Sequence, residues 1–153
     1  MSLKVWLVIA VGLTVLTQEA AAASTCPGTL GPSSTPDSDF TVNTDGTVLH
    51  APTGLMWKQC SEGQTEATCV GAARRMTWPE AIATSADANF AGFDDWRLPK
   101  ADELKGLIES ACSNPAINER YFANTYAGGY WTSSKFEGDD DYIRYVEFQS
   151  GKS

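Results

Sequence analysis

The sequence predicts an α+β domain in which two helices pack against antiparallel β-hairpins. Two pairs of β-prone runs lie near the start and the end of the domain, and two segments with helical periodicity lie between them. The order hairpin, helix, helix, hairpin differs from the strand-helix alternation that produces parallel sheets. A length of 153 residues, 42% apolar and 20% charged, fits one domain with one modest core.

The N-terminus has the layout of a secretory leader. Lys4 precedes an uncharged run, residues 5–16, and small residues follow it. Residues 1–23 are therefore predicted to be a signal peptide cut after Ala22 or Ala23. We expect a secreted, periplasmic or cell-surface protein without stable membrane insertion, since the apolar run is short for a bilayer; a retained anchor is the lesser alternative.

The net charge of the chain argues against negatively charged partners. Lys4 and Glu19 cancel, so the formal charge of −8 is the same with and without the leader. An acidic surface of this size argues against nucleic acids and anionic membranes as partners. It also disfavours polyanionic ligands, unless the basic residues gather on one face.

Four cysteines in an exported chain predict two disulfides. Cys60 and Cys69 flank a polar stretch that contains a glycine, so a local bridge is the simplest pairing, which leaves Cys26 to pair with Cys112. A zinc site is the competing interpretation, but no C-x-x-C spacing is present and His50 is the only histidine. A lipid anchor on Cys26 is a weaker alternative.

The first part of the domain reads as an arm followed by a hairpin. Residues 24–39 are rich in Ser, Thr, Pro and Gly without periodicity, which predicts a surface arm before a domain that covers residues 40–153. Thr47 to His50 and Leu55 to Lys58 are β-prone and flank "APTG", a turn sequence. His50 is expected at the surface.

The first helix has a clear start. Thr77 and Glu80 form a capping box, in which each side chain satisfies a backbone amide at the helix start, and Pro79 lies in the first turn. The apolar spacing that follows predicts a helix from about Trp78 to Ala88.

The second helix is predicted from one apolar side and one charged side. Asp102 and Glu103 lie in its first turn, where they favour the positive end of the helix dipole, and Pro115 prevents its continuation. The apolar side is Leu98, Ala101, Leu104, Leu107, Ile108 and Ala111.

The last stretch predicts the second hairpin. "GGYWTSSKF" and "DYIRYVEF" are strand-like and are joined by "EGDDD". The acidic run from Glu137 to Asp141 is expected to be a solvated turn, with a Ca²⁺ site as the weaker alternative.

Several phrases in order resemble one bacterial family: "DGTVLHAPTGLMWKQCSEG", "TWPEAIATSA", "AGFDDWRLPKADEL", "CSNPAIN" and "YWTSSKF". From about Cys26 the chain resembles the Lcl C-terminal domain family, a domain of unknown function best known from a collagen-like adhesin. The order of elements is more loosely similar to C-type-lectin-like and sulfatase-modifying-factor-like folds. The resemblance implies an exported, non-enzymatic module with glycans as the favoured ligand class.

Two positions depart from the pattern of the resembled family. Members usually continue with a Val-Arg strand after the glycine that corresponds to Gly151, so this chain, ending at Ser153, looks truncated. We therefore expect an open sheet edge near Tyr142 to Phe148. Arg144 stands where the family often has a tryptophan.

The loop before the second helix carries the candidate catalytic groups. Asp94, Asp95 and Glu103 would serve an extracytoplasmic enzyme or an enzyme accessory domain. Neighbouring strand residues point to opposite sides, however, so we do not expect Asp94 and Asp95 to face one substrate. The structural interpretation has Trp96 and Leu98 in the core and Arg97 tethering the loop.

The aromatic residues are divided between core and ligand surface. Most tryptophans of a small domain are buried, and the core candidates are Trp57, Trp78, Trp96 and Trp131. Tyrosine has an apolar body and a polar tip, and the candidate ligand contacts are Tyr126, Tyr130, Tyr142 and Tyr145.

The function predicted from the sequence is an exported, non-catalytic module for ligand binding or adhesion, with a glycan as the favoured ligand and without a required cofactor. An enzyme using the acids above is the alternative. A purely structural domain of a larger envelope assembly is a third possibility.

Overall fold

The computed structural model describes residues 3–6, 9–10, 26, 33–66 and 68–150. The fold is α+β and carries two disulfides, as predicted. The strands are β1 (Leu3–Val5), β2 (Ile9–Ala10), β3 (Phe40–Val42), β4 (Thr47–His50), β5 (Leu55–Lys58), β6 (Arg75–Met76), β7 (Trp96–Arg97), β8 (Gly129–Phe136) and β9 (Asp139–Glu147). The helices are α1 (Trp78–Ala86), α2 (Ala101–Lys105) and a 3-10 turn, Asp37–Asp39.

Two mixed sheets contain all of these strands. The first has five strands in the order β3, β4, β5, β1, β7, and the second has four in the order β6, β2, β8, β9. The predicted hairpins are present as the antiparallel pairs β4 with β5 and β8 with β9. The parallel pairs, β1 with β5 and β7, and β2 with β6, are not predicted by the sequence pattern.

Residues of the predicted leader supply those parallel strands. β1 lies between β5 and β7 in the five-stranded sheet, and β2 lies between β6 and β8 in the other sheet. An apolar run after one lysine matches a leader better than it matches a three-residue strand, so the pattern predicts no strand there. Cleavage after Ala22 or Ala23 concerns residues outside those described, and the leader stays a prediction.

Two apolar clusters form the interior, where one core was expected. The main core contains residues from both sheets and comprises Val5, Phe40, Val48, Leu55, Trp57, Leu104, Leu107, Ile117, Phe122, Tyr130, Val146 and Phe148. The second core lies beside α1 and comprises Trp6, Met76, Ala81, Phe90, Trp96 and Leu98. Trp78 and Trp131 are partly buried and pack against the second core.

Both helices begin as predicted and end earlier. Glu80 accepts hydrogen bonds from the backbone amide of Thr77 at 2.7 Å and from its hydroxyl at 2.8 Å, which closes the capping box. The second helix is five residues long, not the longer helix predicted. At Gly106 the chain leaves the α-helix in a turn that keeps Leu107 buried, so the apolar spacing persists without the helix.

His50 is buried, and its predicted surface position is wrong. Its ring stacks on Phe40 with 4.9 Å between centroids, and Nδ1 lies 2.8 Å from the hydroxyl of Thr53. Burial lowers the pKa of the imidazole, and the charge of Asp39 partly offsets that effect. The strand alternation that buries Val48 also points His50 inward.

Both predicted disulfides are confirmed. Cys60 pairs with Cys69 across a separation of 9 residues, and Cys26 pairs with Cys112 across 86.

Within the described part of the chain, no helix has the length and apolar character needed to cross a bilayer.

The described end of the predicted arm is fixed to the domain by Glu109, which is buried. The Glu109 carboxylate accepts hydrogen bonds from the hydroxyls of Ser33 and Ser34 and from the amide and hydroxyl of Thr35. Burial by itself would raise the pKa of Glu109. The hydrogen bonds to its charged carboxylate outweigh that effect and lower the pKa to about 2. Residues 33–35 are therefore part of the packed structure.

Candidate functional site

Exposed aromatic side chains concentrate on the hairpin formed by β8 and β9. Phe136 is 60% exposed, Tyr142 66% and Tyr145 50%. In the described part of the chain the other large apolar side chains with such exposure are Val42 and Val70, neither of them aromatic. We call Phe136, Tyr142 and Tyr145 the aromatic hairpin surface. Large exposed apolar groups gathered on one element are typical of binding surfaces.

Tyr145 is held in place by a tryptophan on the neighbouring strand. Trp131 and Tyr145 are paired across β8 and β9, and their rings meet edge to face with 6.4 Å between centroids. The indole nitrogen of Trp131 donates a hydrogen bond to the carbonyl of Met76 at 2.9 Å. One partner of Tyr145 is therefore fixed to the scaffold, while half of the tyrosine surface stays open to solvent.

The remaining part of the aromatic hairpin surface lies on an edge with irregular pairing. β9 ends the four-stranded sheet, at the edge that the sequence predicts to be open. The pairing of β8 with β9 shifts register between Trp131 and Phe136. Tyr142 lies opposite this irregular stretch, so the usual alternation of side chains along a strand does not determine which face of the sheet it occupies.

Tyr126 lies half-buried beside a cation. The Arg75 guanidinium carbon is 5.4 Å from the Tyr126 ring centroid, and Nη2 donates to the phenol oxygen at 3.2 Å. A Cβ on Gly128 would lie 2.2 Å from Cε1 of Tyr126, so only glycine allows this ring position. Tyr126 is thus a candidate contact that already has a protein partner.

Tyr130 is not a ligand contact, and the prediction that placed it among the exposed tyrosines is wrong. It is fully buried in the main core, where its ring meets that of Phe148 at 5.2 Å. Its hydroxyl lies 2.9 Å from that of Ser61 and accepts a hydrogen bond from the backbone amide of Tyr126 at 3.0 Å. Burial raises the pKa of this phenol. Because the hydroxyl finds its partners inside the protein, the amphipathic side chain fits the core.

Phe136 and Arg75 were not among the predicted site residues. Phe136 ends β8 next to the acidic turn, where a large apolar residue has no core to enter. Phe136 could have been identified from the sequence as an apolar residue that directly precedes a charged turn in a hairpin. Arg75 carries no such signal, because its partner Tyr126 lies 51 residues away in the chain.

Of the three candidate acids, Asp95 and Glu103 form separate ion pairs. Asp94 and Asp95 are exposed; Asp95 lies 2.9 Å from Lys4 Nζ, and Glu103 pairs with Arg97 at 2.8 Å. The hydrogen bond from Lys4 lowers the pKa of Asp95. Burial disfavours the charged form of Glu103, but hydrogen bonds from Arg97 and the Lys100 amide outweigh it and lower the pKa.

The residues predicted as core and tether lie as follows. Trp57, Trp96 and Leu98 are buried, and Trp96 donates its indole hydrogen to the carbonyl of Phe90 at 3.1 Å. Arg97 holds the loop through Glu103 and through the carbonyl of Leu98 at 3.0 Å.

Among the described residues no group of three or more His, Cys, Asp or Glu side chains could hold a metal ion. The side chains of residues 140 and 141, within the acidic run considered for Ca²⁺, lie outside those described.

The fold and the hairpin define a class of protein: a disulfide-bonded α+β module that presents aromatic residues on a sheet edge. The family profile of the Lcl C-terminal domain matches residues 46–153, so the chain belongs to the Lcl C-terminal domain family, as the resemblance implies. No match was found among curated proteins or among solved structures.

Proposed function

We propose that this chain is an exported recognition module that binds a glycan through the aromatic hairpin surface and acts by binding, without catalysis. We also propose that its α+β architecture is C-type-lectin-like, a proposal supported by the order of capped helix, loop, second helix and tryptophan-bearing strand. Two disulfides favour an oxidising compartment outside the cytoplasm.

The observation that carries the proposal is the exposure of Phe136, Tyr142 and Tyr145 on a single hairpin. Aromatic faces carry a negative quadrupole that attracts the C–H groups of a sugar ring, and their apolar area is withdrawn from water on binding. Tyrosine also offers a hydroxyl to the hydroxyl groups of the sugar.

The charge of the chain selects among glycans. A formal net charge of −8 repels polyanions at long range. We therefore expect neutral glycans to bind more tightly than sulfated or carboxylated ones at low salt.

The lowered pKa values of Asp95 and Glu103 favour a binding function over a catalytic one. A general acid at neutral pH needs a raised pKa, whereas the pKa values of Asp95 and Glu103 are both lowered. Each of these carboxylates is already occupied by a cationic side chain.

A glycan array tests the proposal. The full chain, with both disulfides formed, is applied to neutral, carboxylated and sulfated glycans. We expect selective binding that the Tyr142→Ala/Tyr145→Ala variant loses and the Val70→Ala variant keeps, because Val70 is 60% exposed but lies outside the hairpin. Silence across all three glycan classes would contradict the proposal.

A further inference from the structure

The fourth strand of the five-stranded sheet, β1, is a short segment that enters from the N-terminus. β1 lies between β5 and β7 and is parallel to both, with Lys4 opposite Met56 on one side and Trp96 on the other. The backbone amide of Trp6 donates to the carbonyl of Arg97 at 2.9 Å and extends the contact beyond the strand. β5 and β7 are joined within this sheet only through residues 3–6 of the described chain.

One side chain of the segment points into the main core. Val5 is fully buried in the cluster that also contains Val48 and Trp57. This position can accept a small or medium apolar side chain and disfavours a charged one, because a charge there would be buried without a partner.

The neighbouring side chains point to the opposite face, as strand alternation requires. Lys4 extends its ammonium group to Asp95 Oδ2 at 2.9 Å and over the ring of Phe93, 4.3 Å from the centroid. A carboxylate together with an aromatic face is a recognition site for a lysine.

Trp6 fills an aromatic pocket on that same face. Its ring meets those of Phe90 and Trp96 edge to face at 5.9 and 5.4 Å, and Lys58 Nζ lies 4.4 Å from its centroid. The indole nitrogen of Trp6 is buried without a hydrogen-bond partner among the described residues. The pocket therefore recognises an aromatic face and not the indole N–H.

Backbone pairing on two sides with pockets for alternate side chains is the pattern by which proteins bind extended peptides as an added strand. The sequence assigns residues 3–6 to a leader, and a sheet without them would expose two strand edges beside three formed pockets. We propose that the gap between β5 and β7 is a strand-binding site for an extended peptide of the pattern apolar, Lys, apolar, aromatic, which residues 3–6 occupy in the uncut chain.

The site is tested with the full chain carrying a protease site between Thr17 and Gln18. After folding and oxidation the chain is cut, and a fluorescent peptide of residues 2–8, "SLKVWLV", with a polar C-terminal tail is added. We expect the peptide to replace the cut segment and to co-elute with the domain, with its fluorescence polarisation rising to saturation.

Peptide variants distinguish sequence-specific recognition from nonspecific binding. Lys4→Glu places a carboxylate against Asp95 and should weaken binding more than about tenfold, and Trp6→Ala should do the same by emptying the aromatic pocket. Trp6→Phe should bind within about threefold of the native peptide, since no partner of the indole N–H is lost.

A charge exchange gives the decisive control. The Asp95→Lys protein should bind the Lys4→Glu peptide better than the native peptide, reversing the order seen with the native protein. Asp95 is exposed, so this change leaves the core intact. The proposal is wrong if the labelled peptide does not enter the cut protein, or if the Lys4→Glu and native peptides bind the native protein equally well.

Discussion

Arg97 holds the carboxylate of Glu103 with both ends of its guanidinium group. Nη1 donates to Oε2 at 2.9 Å and Nη2 donates to Oε1 at 2.8 Å, while Nη1 also donates to the carbonyl of Leu98. Glu103 Oε2 accepts a further hydrogen bond from the amide of Lys100 at 2.7 Å, at the start of α2. One carboxylate thus ties β7 to the beginning of the helix.

Replacing Arg97 by lysine tests this tether. Arg97→Lys keeps the charge but loses the two-pronged geometry, and we expect the free energy of unfolding to fall by about 1 kcal/mol, measured by urea denaturation. The matched control is Arg120→Lys, whose ion pair with Asp37 is exposed and should contribute less. An unchanged unfolding midpoint for Arg97→Lys would return this residue to the list of functional candidates.

The two disulfides should differ in their effect on stability. In the chain-entropy account a bridge stabilises more when it closes a longer loop, and the separations are 86 residues for Cys26 with Cys112 and 9 for Cys60 with Cys69. We expect losses of about 4 to 5 and about 2 to 3 kcal/mol when the respective cysteine pairs are replaced by serine. Thermal melts of the two double variants check this order, and a larger loss for the shorter loop would oppose it.

Glu109 should make stability depend on acid pH. Its pKa is lowered from 4.5 to about 2, because hydrogen bonds from Ser33, Thr35 and the Ala111 amide to the charged form outweigh its burial. A lowered pKa in the folded state means that the contribution is complete above pH about 4.5 and is lost as the pH falls towards 2.

The corresponding measurement is the free energy of unfolding between pH 6 and pH 2. The native chain should lose at most about 3 kcal/mol more than Glu109→Gln across this window. Glu66→Gln changes an exposed carboxylate and should follow the native chain. Parallel curves for the native chain and Glu109→Gln would show that the carboxylate does not hold the arm.

The hydroxyl of Tyr130 should contribute to stability from inside the core. Tyr130→Phe leaves the hydroxyl of Ser61 and the amide of Tyr126 without this partner, and we expect a loss of about 1 to 3 kcal/mol in the free energy of unfolding. Tyr145→Phe removes a hydroxyl at a half-exposed position and should change stability by less than about 0.5 kcal/mol. Equal effects of the two substitutions would place Tyr130 outside the core.

The hairpins and helix starts were predictable because local chemistry determines them. Turn residues between β-prone runs identify β4 with β5, and the reciprocal hydrogen bonds of Thr77 and Glu80 identify the start of α1. The end of α2 was not predictable in the same way. Leu107 stays buried after the chain turns at Gly106, so an apolar period continues where the helix does not.

Other features depend on contacts distant in sequence. Tyr130 enters the core because Ser61 lies 69 residues away with a matching hydroxyl, and no pattern near Tyr130 shows that partner. The position of Lys4 depends on Asp95, 91 residues further along the chain. The exposed positions of Tyr142 and Tyr145 were predictable, since the polar tip of a tyrosine tolerates water at the surface of a hairpin.

The central claim is tested most directly by calorimetric titration of the full chain with the tightest glycan from the array. The account predicts saturable binding that Tyr145→Phe retains, because the aromatic face remains, and that Tyr145→Ala weakens at least about tenfold, as loss of an aromatic anchor does. Equal dissociation constants for the native chain and Tyr145→Ala would contradict binding through the aromatic hairpin surface.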